Sequence, residues 1–509
     1  MTMIHVTGAA PSDHLNIEHI IGLFFEEPLI SFENGKKVEV PSSEQPIHID
    51  VKITGEQRIH AVTRLTDAAA GAVYTGEQER EAEGASNSKE WRKQAKQVLH
   101  FSILQALEQY TGLIQPWGIL TGVRPTKLMH NELKAGSTPE LALMRLKERY
   151  GIQEEKIQLM QRIVDRQLEA IPDLYQLRQE VSVYIGIPFC PTKCAYCTFP
   201  AYAINGRQGS VDSFLGGLHY EMDQIGNWLK RNGVNVTTVY FGGGTPTSIT
   251  AEEMDMLYDR LFQSFPNPER IREITVEAGR PDTITPEKLE VLKKWGIHRI
   301  SINPQSYIQE TLKAIGRHHT VQETIDKFHL ARSMGMDNIN MDLIIGLPGE
   351  GMEQFEHTLR ETEKLMPESL TVHTLSFKRA SEMTQNKAKY KVADREEVSR
   401  MMRAASDWTD AHGYDPYYLY RQKNILGNLE NVGYCLPGME SMYNIIIMEE
   451  VQSIIGLGCG ASTKWVHPKT GQITRYANPK EPKAYNDHFE KYTHDKLDTL
   501  EELFAKQHA

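Results

Sequence analysis

Between residues 181 and 375 the chain alternates apolar, β-branched runs with helix-forming stretches, and no other feature limits its fold as tightly. Strands are predicted over 181–187, 236–241, 273–277, 299–303, 338–345 and 370–375. Helices are predicted between them, over 211–231, 251–265, 286–295, 321–334 and 352–365. Repeated strand–helix units dictate a parallel sheet with right-handed crossovers. Six units fall short of the eight of a closed barrel. Spacing alone leaves a partial barrel and a doubly wound sheet both open, and in either one the chemistry gathers at the carboxyl ends of the strands.

The first strand runs into Y-I-G-I-P-F-C-P-T-K-C-A-Y-C-T-F, residues 184–199. It carries three of the five cysteines, Cys190, Cys194 and Cys197, spaced C-x3-C-x2-C. Three thiolates on one loop can grip a metal centre but cannot complete one, because a tetrahedral zinc or a [4Fe–4S] cluster takes four ligands. A cluster held by three leaves one iron open to chemistry. Two plainer readings are a set of buried structural cysteines and a zinc site that borrows a distant fourth ligand.

With Tyr196 before its last cysteine, the loop resembles the signature of the radical S-adenosylmethionine (SAM) superfamily. The Y-I-G-I-P-F-C lead-in is similar to the oxygen-independent coproporphyrinogen III dehydrogenases and the related haem chaperones, and the whole chain is most similar to the branch of that group with a long N-terminal extension. The resemblance implies an α/β fold built on a partial (β/α)6, TIM-like barrel. It implies a [4Fe–4S] cluster on Cys190, Cys194 and Cys197, with SAM bound at the open iron and cleaved by one electron to methionine and a 5′-deoxyadenosyl radical. It also implies a radical SAM oxidoreductase that turns propionates of coproporphyrinogen III into vinyl groups in haem biosynthesis, supplied with electrons by a small electron-transfer protein. The rivals are a haem-binding or haem-delivery protein and a radical SAM enzyme with another substrate.

The same resemblance carries site residues over. Tyr184 enters as a catalytic and SAM-contacting position, beside Tyr196. Gly243, Gly244 and Thr245, in G-G-G-T-P-T, match the glycine motif that faces the methionine ammonium. Read bare, the motif is a strand-to-helix turn, and it lacks the spacing of a dinucleotide fingerprint. Glu277, Gln305, Arg317 and Asp342 match positions around one or two SAM molecules. Singly, each is an ordinary polar residue at or near a strand end.

The flanks are less telling. Residues 1–88 read as a small α+β module, with a half-buried strand at 47–53, a neighbour at 58–65, a helix at 16–25 and a linker or mobile loop at 76–89. Residues 89–178 read as helical, 179–378 as the barrel and 379–509 as an α+β cap over its open side. At 509 residues, more than one core is expected. Lys and Arg number 56 against 67 Asp and Glu, a net charge of −11 that argues against non-specific nucleic-acid binding. Few and unpaired cysteines, no signal-peptide pattern and no run of about 18 apolar residues give the expectation of a soluble, cytoplasmic protein.

Two departures from the resembled group stand out. No cysteine follows Cys197 as C-x-C, and S-M-Y-N-I-I, residues 441–446, stands where the haem chaperones carry H-N-x-x-Y-W. For a tetrapyrrole with four carboxylates the chain offers Arg124, Lys127, Arg379 and Arg421, with Tyr417, Tyr418 and Tyr420 as stacking surface. Arg421 is expected to matter more than Arg124, unless it pairs with Glu430. His318 and His319 are read as a solvated loop, with contact to a porphyrin as the alternative.

Overall fold

The computed structural model describes residues 2–504 except 26, 34–45, 87, 123, 200, 205–209, 377–380, 387–389 and 423–424. It divides into two compact units, Met1–Gln161 and Arg162–Ala509.

In the first unit β1 (Met3–Thr7), β2 (Leu29–Phe32), β3 (Ile47–Thr54), β4 (Arg58–Asp67) and β5 (Ala72–Glu81) form one sheet in the order β2-β1-β3-β4-β5. The alternation along β3 buries Ile47, Ile49 and Val51. Helix Lys89–Thr111, capped by the Ser88 hydroxyl, brings Val98, Leu99, Ile103 and Leu107 into the same core. The polar stretch at 76–89 is not all loop, because its first half continues β5. Gly76 explains this: a Cβ there would stand 1.9 Å from the Ser102 carbonyl, so only glycine lets the strand lie against the helix.

In the second unit the parallel strands are β6 (Val181–Ile187), β9 (Val236–Gly243), β10 (Glu273–Glu277), β11 (Arg299–Ser301), β12 (Ile339–Ile345) and β13 (Ser369–Thr374), paired in sequence order. A short parallel pair, β7 (Phe189–Cys190) and β8 (Tyr202–Ala203), hangs beyond β6. The tail adds β14 (Asp415–Tyr420), β15 (Asn431–Cys435), β16 (Ser453–Gly458), β17 (Ser462–Val466) and β18 (Ile473–Ala477). The sheet reads β14-β15-β13-β12-β11-β10-β9-β6-β16-β17-β18, with β14 and β18 at its two ends among the described residues. This is a partial barrel of six β-α units. β16 joins it as a further parallel strand beside β6, and β15 runs antiparallel beside β13.

Strand alternation sorts the side chains. Val183, Ile185, Val239, Phe241, Ile300, Met341 and Val372 are buried. The alternate positions Tyr184, Tyr240, Ser301, Asn340 and Thr371 face a cavity on the other side of the sheet. Four of the helices that follow begin at a hydroxyl: Ser210, Thr250, Thr285 and Thr320 each accept from the third backbone N–H of their helix. The tail does more than add edges. Its helix Met442–Glu449 is anchored at its N-terminus by Glu273 of β10, whose carboxylate accepts from Met442 N at 2.7 Å, Ser441 Oγ at 2.9 Å and Tyr443 N at 3.2 Å. That anchor sets Tyr443 against Tyr240, their rings stacked at 4.4 Å. No helix among the described residues is long and apolar enough to cross a membrane.

Candidate active site

One cavity of about 560 Å³ lies at the carboxyl ends of the parallel strands. Tyr184, Cys190, Cys194, Tyr196, Cys197, Gly243, Gly244, Thr245, Glu277, Gln305, Arg317 and Asp342 all line it.

The cysteine loop is held by the glycines. Gly244 N donates to Ile187 O, and Thr245 N to Phe189 O, each at 2.7 Å. Gly243 has φ 106°, and a Cβ on Gly244 would stand 2.6 Å from Phe189 O. The close approach visible here is therefore of the β9 end to the backbone that carries Cys190. The Cys190 sulfur sits 3.3 Å from the Thr245 hydroxyl, and the Cys194 sulfur 3.9 Å from Arg280 Nη1. Cys197 N donates to Cys194 O at 3.1 Å, closing the turn. Burial pushes the Cys190 thiol up to about 11. Such a thiol ionises once a metal cation is bound to it. Cys435 and Cys459 are buried and free, outside this group.

Across the cavity lies a polar wall. Glu277 accepts from the Tyr240 hydroxyl at 2.6 Å, and burial pushes its carboxyl up to about 7 against that bond. Burial also works to raise the Asp342 carboxyl, but His373 at 3.5 Å and the Asn340 amide at 2.8 Å hold it below its usual range. Arg317 donates to Asn303 O at 2.7 Å and Gly279 O at 2.6 Å. Gln305 takes a left-handed φ of 65°, pinned by a bond from its N to Asp342 O at 2.9 Å. A non-glycine residue held there stores strain, and such residues cluster at functional sites.

The residues present fit the two groups that the resemblance implies. Among the described residues, no three His, Cys, Asp or Glu side chains converge to hold a single metal ion. A cluster asks for no such convergence, since it takes each thiolate on a different iron. On the polar wall Ser301 Oγ, Asn303 Oδ1, Gln305 Oε1 and Arg317 Nε are buried without a partner. Buried polar atoms are nearly always paired, so this row is provisioned for a ligand rich in hydrogen-bonding groups.

Other expected residues are placed differently. Tyr418 and Tyr420 line the cavity, while Tyr417, on the other face of β14 by strand alternation, is buried in a core with Ile445 and Ile446. Arg421 is buried away from the cavity lining and donates to Asn428 Oδ1 at 2.6 Å. Burial pulls its guanidinium down to about 10, with Glu430 opposing. A supporting role thus accounts for Arg421 better than substrate contact. Arg124 and Lys127 lie in the first unit, at the start of helix Pro125–Lys134. Arg379 falls outside the described residues. Only His318 is solvated; His319 is buried, and burial lowers its imidazole to about 3.

Arg280, Tyr240, Asn303, His373 and Tyr443 also line the site and were not singled out in the sequence. For Tyr240 a signal existed, since it stands two residues before Gly242 on one strand face. For Arg280, in a turn after β10, and Tyr443, on a helix of the tail, the local pattern holds none.

A partial barrel whose cavity is rimmed by three cysteines from one loop defines a class, and the chain belongs to it: the Radical SAM superfamily matches residues 184–362. Within that class it is a member of a narrower group, the oxygen-independent coproporphyrinogen-III oxidase-like proteins. It is 61% identical over 497 residues to the protein of Bacillus subtilis named "Oxygen-independent coproporphyrinogen-III oxidase-like protein HemZ", covering 97% of this chain and 96% of that one. It is 32% identical to "Heme chaperone HemW" of the same organism, over 55% of this chain and 70% of that one. Among solved structures it shares its fold with coproporphyrinogen III oxidase (HemN) from Escherichia coli, with a TM-score of 0.50 and 21% identity over 64% of this chain and 72% of that one.

Proposed function

We propose that the chain is a radical SAM oxidoreductase that decarboxylates propionate side chains of coproporphyrinogen III, without oxygen, to vinyl groups. The observation that carries the reading is one cavity joining the three thiols to a polar wall on which four buried atoms lack a partner. Cys190, Cys194 and Cys197 would hold a [4Fe–4S] cluster. Gly243, Gly244, Thr245, Glu277, Gln305, Arg317 and Asp342, with Tyr184 and Tyr196, would hold SAM. When bound, the pair would supply a 5′-deoxyadenosyl radical able to take a hydrogen atom from a substrate carbon.

The chain's own residues bind, orient and keep water out. Glu277, once ionised, accepts hydrogen bonds from ribose hydroxyls. Arg317 and Gln305 complete the polar contacts on the same wall. The stack of Tyr184, Tyr240 and Tyr443 closes the cavity next to Glu277. Tyr418 and Tyr420 offer aromatic surface to a tetrapyrrole. The propionate loses its β-hydrogen, then carbon dioxide and one electron, which passes to an acceptor. A small electron-transfer protein of a reducing cytoplasm supplies the electron that starts each turnover.

The substrate is supported by the near full-length likeness to a protein whose name carries coproporphyrinogen-III oxidase. The likeness to a haem chaperone favours haem delivery as the second reading. An anaerobic assay of reconstituted protein with SAM, a reductant and coproporphyrinogen III separates them. Vinyl products by mass support the first reading. Stoichiometric haem binding with the tetrapyrrole returned unchanged supports the second. SAM cleavage with neither means another substrate.

A further inference from the structure

We propose that Arg280 is a positioning residue that sets how readily the metal centre on the cysteine loop accepts an electron, by presenting a buried positive charge to the Cys194 sulfur. Arg280 is 3% exposed. Its guanidinium is used on two edges. Nε and Nη2 donate to the Asp282 carboxylate at 3.0 and 2.9 Å. Nη1 is left for the loop, where it donates to Thr192 Oγ1 at 2.9 Å and points at Cys194 Sγ at 3.9 Å. The backbone beneath is locked, since Thr283 returns its N–H and its hydroxyl to Arg280 O at 3.0 and 2.7 Å. The guanidinium therefore cannot swing away without giving up its bonds to Asp282 and Thr192.

A sulfur ligand shares the negative charge that a cluster gains on reduction. A donor cation held beside it favours the reduced state more than the oxidised one, and hydrogen bonds to the sulfurs are among the factors that set such potentials. The site is buried, so water screens that field little. Asp282 offsets part of the charge, which makes the pair adjustable in both directions. The Thr245 hydroxyl at Cys190 does the same without a charge. The inference rests on the reading that the loop holds a [4Fe–4S] cluster. The iron content of the unaltered protein tests that reading separately, and no substrate is involved.

The experiment is an EPR-monitored redox titration of the reconstituted full-length protein, without SAM. Arg280→Gln should lower the midpoint potential. At the midpoint of the unaltered protein, its ratio of reduced to oxidised cluster should fall about tenfold, equivalent to about 59 mV for one electron. Asp282→Asn should shift the midpoint the other way, because Arg280 keeps its loop contact and loses its counter-charge. An Arg280→Gln protein with full iron and an unchanged midpoint overturns the proposal and leaves Arg280 as a loop anchor. If Arg280→Gln takes up no iron, Asp282→Asn decides: a raised midpoint supports the proposal and an unchanged one overturns it.

Discussion

Glu277 is the residue at which fold and chemistry pull against each other. Burial favours its neutral form, so its carboxyl sits near 7 against an ordinary 4.5. The folded state then keeps a proton that the unfolded chain releases, and stability tied to this group is full below about 4.5 and lost as the pH rises through about 7. On the proposed reading, ligand binding runs the opposite way, because a carboxyl that takes both ribose hydroxyls accepts better from them when ionised. SAM affinity, measured by equilibrium dialysis, should rise between pH 6 and pH 8, and Glu277→Gln should flatten that rise. In urea unfolding at pH 5 and pH 7.5, the same variant should gain stability relative to the unaltered protein as the pH increases. An unchanged pH slope in the variant would place the titration elsewhere. Among the cysteines, replacing Cys190, Cys194 or Cys197 by Ala should abolish the iron content, and replacing Cys435 or Cys459 should not.

At the scale of elements, the β9 end and the cysteine strand form one device. Gly244→Ala pushes a methyl toward Phe189 O, and the 2.6 Å it would meet is backbone, so β7 must shift. The expected result is a protein whose far-ultraviolet circular dichroism is unchanged and whose iron uptake falls several-fold; full uptake would separate the glycines from the loop. This coupling also shows what the sequence could reveal. β6 was legible because its β-branched run is buried on one face and ends in cysteines. Glu277 and Asp342 were singled out only through the family resemblance, because alone each reads as an ordinary polar residue at or near a strand end. The tail was less so. β15 is five residues, N-V-G-Y-C, with no alternation of polar and apolar, and its place beside β13 depends on contacts 60 residues apart in the chain, such as Val372 with Val432. Helix Met442–Glu449 is apolar on most sides because it packs inside the barrel, so no amphipathic stripe announces it. Arg421 misled for a related reason: a cation beside tyrosines reads the same whether it turns to a cavity or, as here, to Asn428.

For the molecule as a whole, the last helix, Pro482–Phe504, is tied to the barrel by a fully buried ion pair, Lys496 with Glu221. Glu221 also accepts from Gly458 N at 2.7 Å and Tyr485 Oη at 2.8 Å, so the pair fixes the end of β16 beside β6. Lys496→Met strands a buried carboxylate and should cost about 3–5 kcal/mol in chemical denaturation. A loss under about 1 kcal/mol would mean that water reaches the pair. On the proposed reading, these ties hold the walls of the cavity in which a radical would meet the substrate carbon. The most direct measurement of that claim uses coproporphyrinogen III deuterated at the propionate β-carbons, turned over anaerobically with SAM and reductant. The expected result is deuterium in the 5′-deoxyadenosine, in step with vinyl groups formed. Unlabelled 5′-deoxyadenosine, with the tetrapyrrole recovered intact, would contradict it.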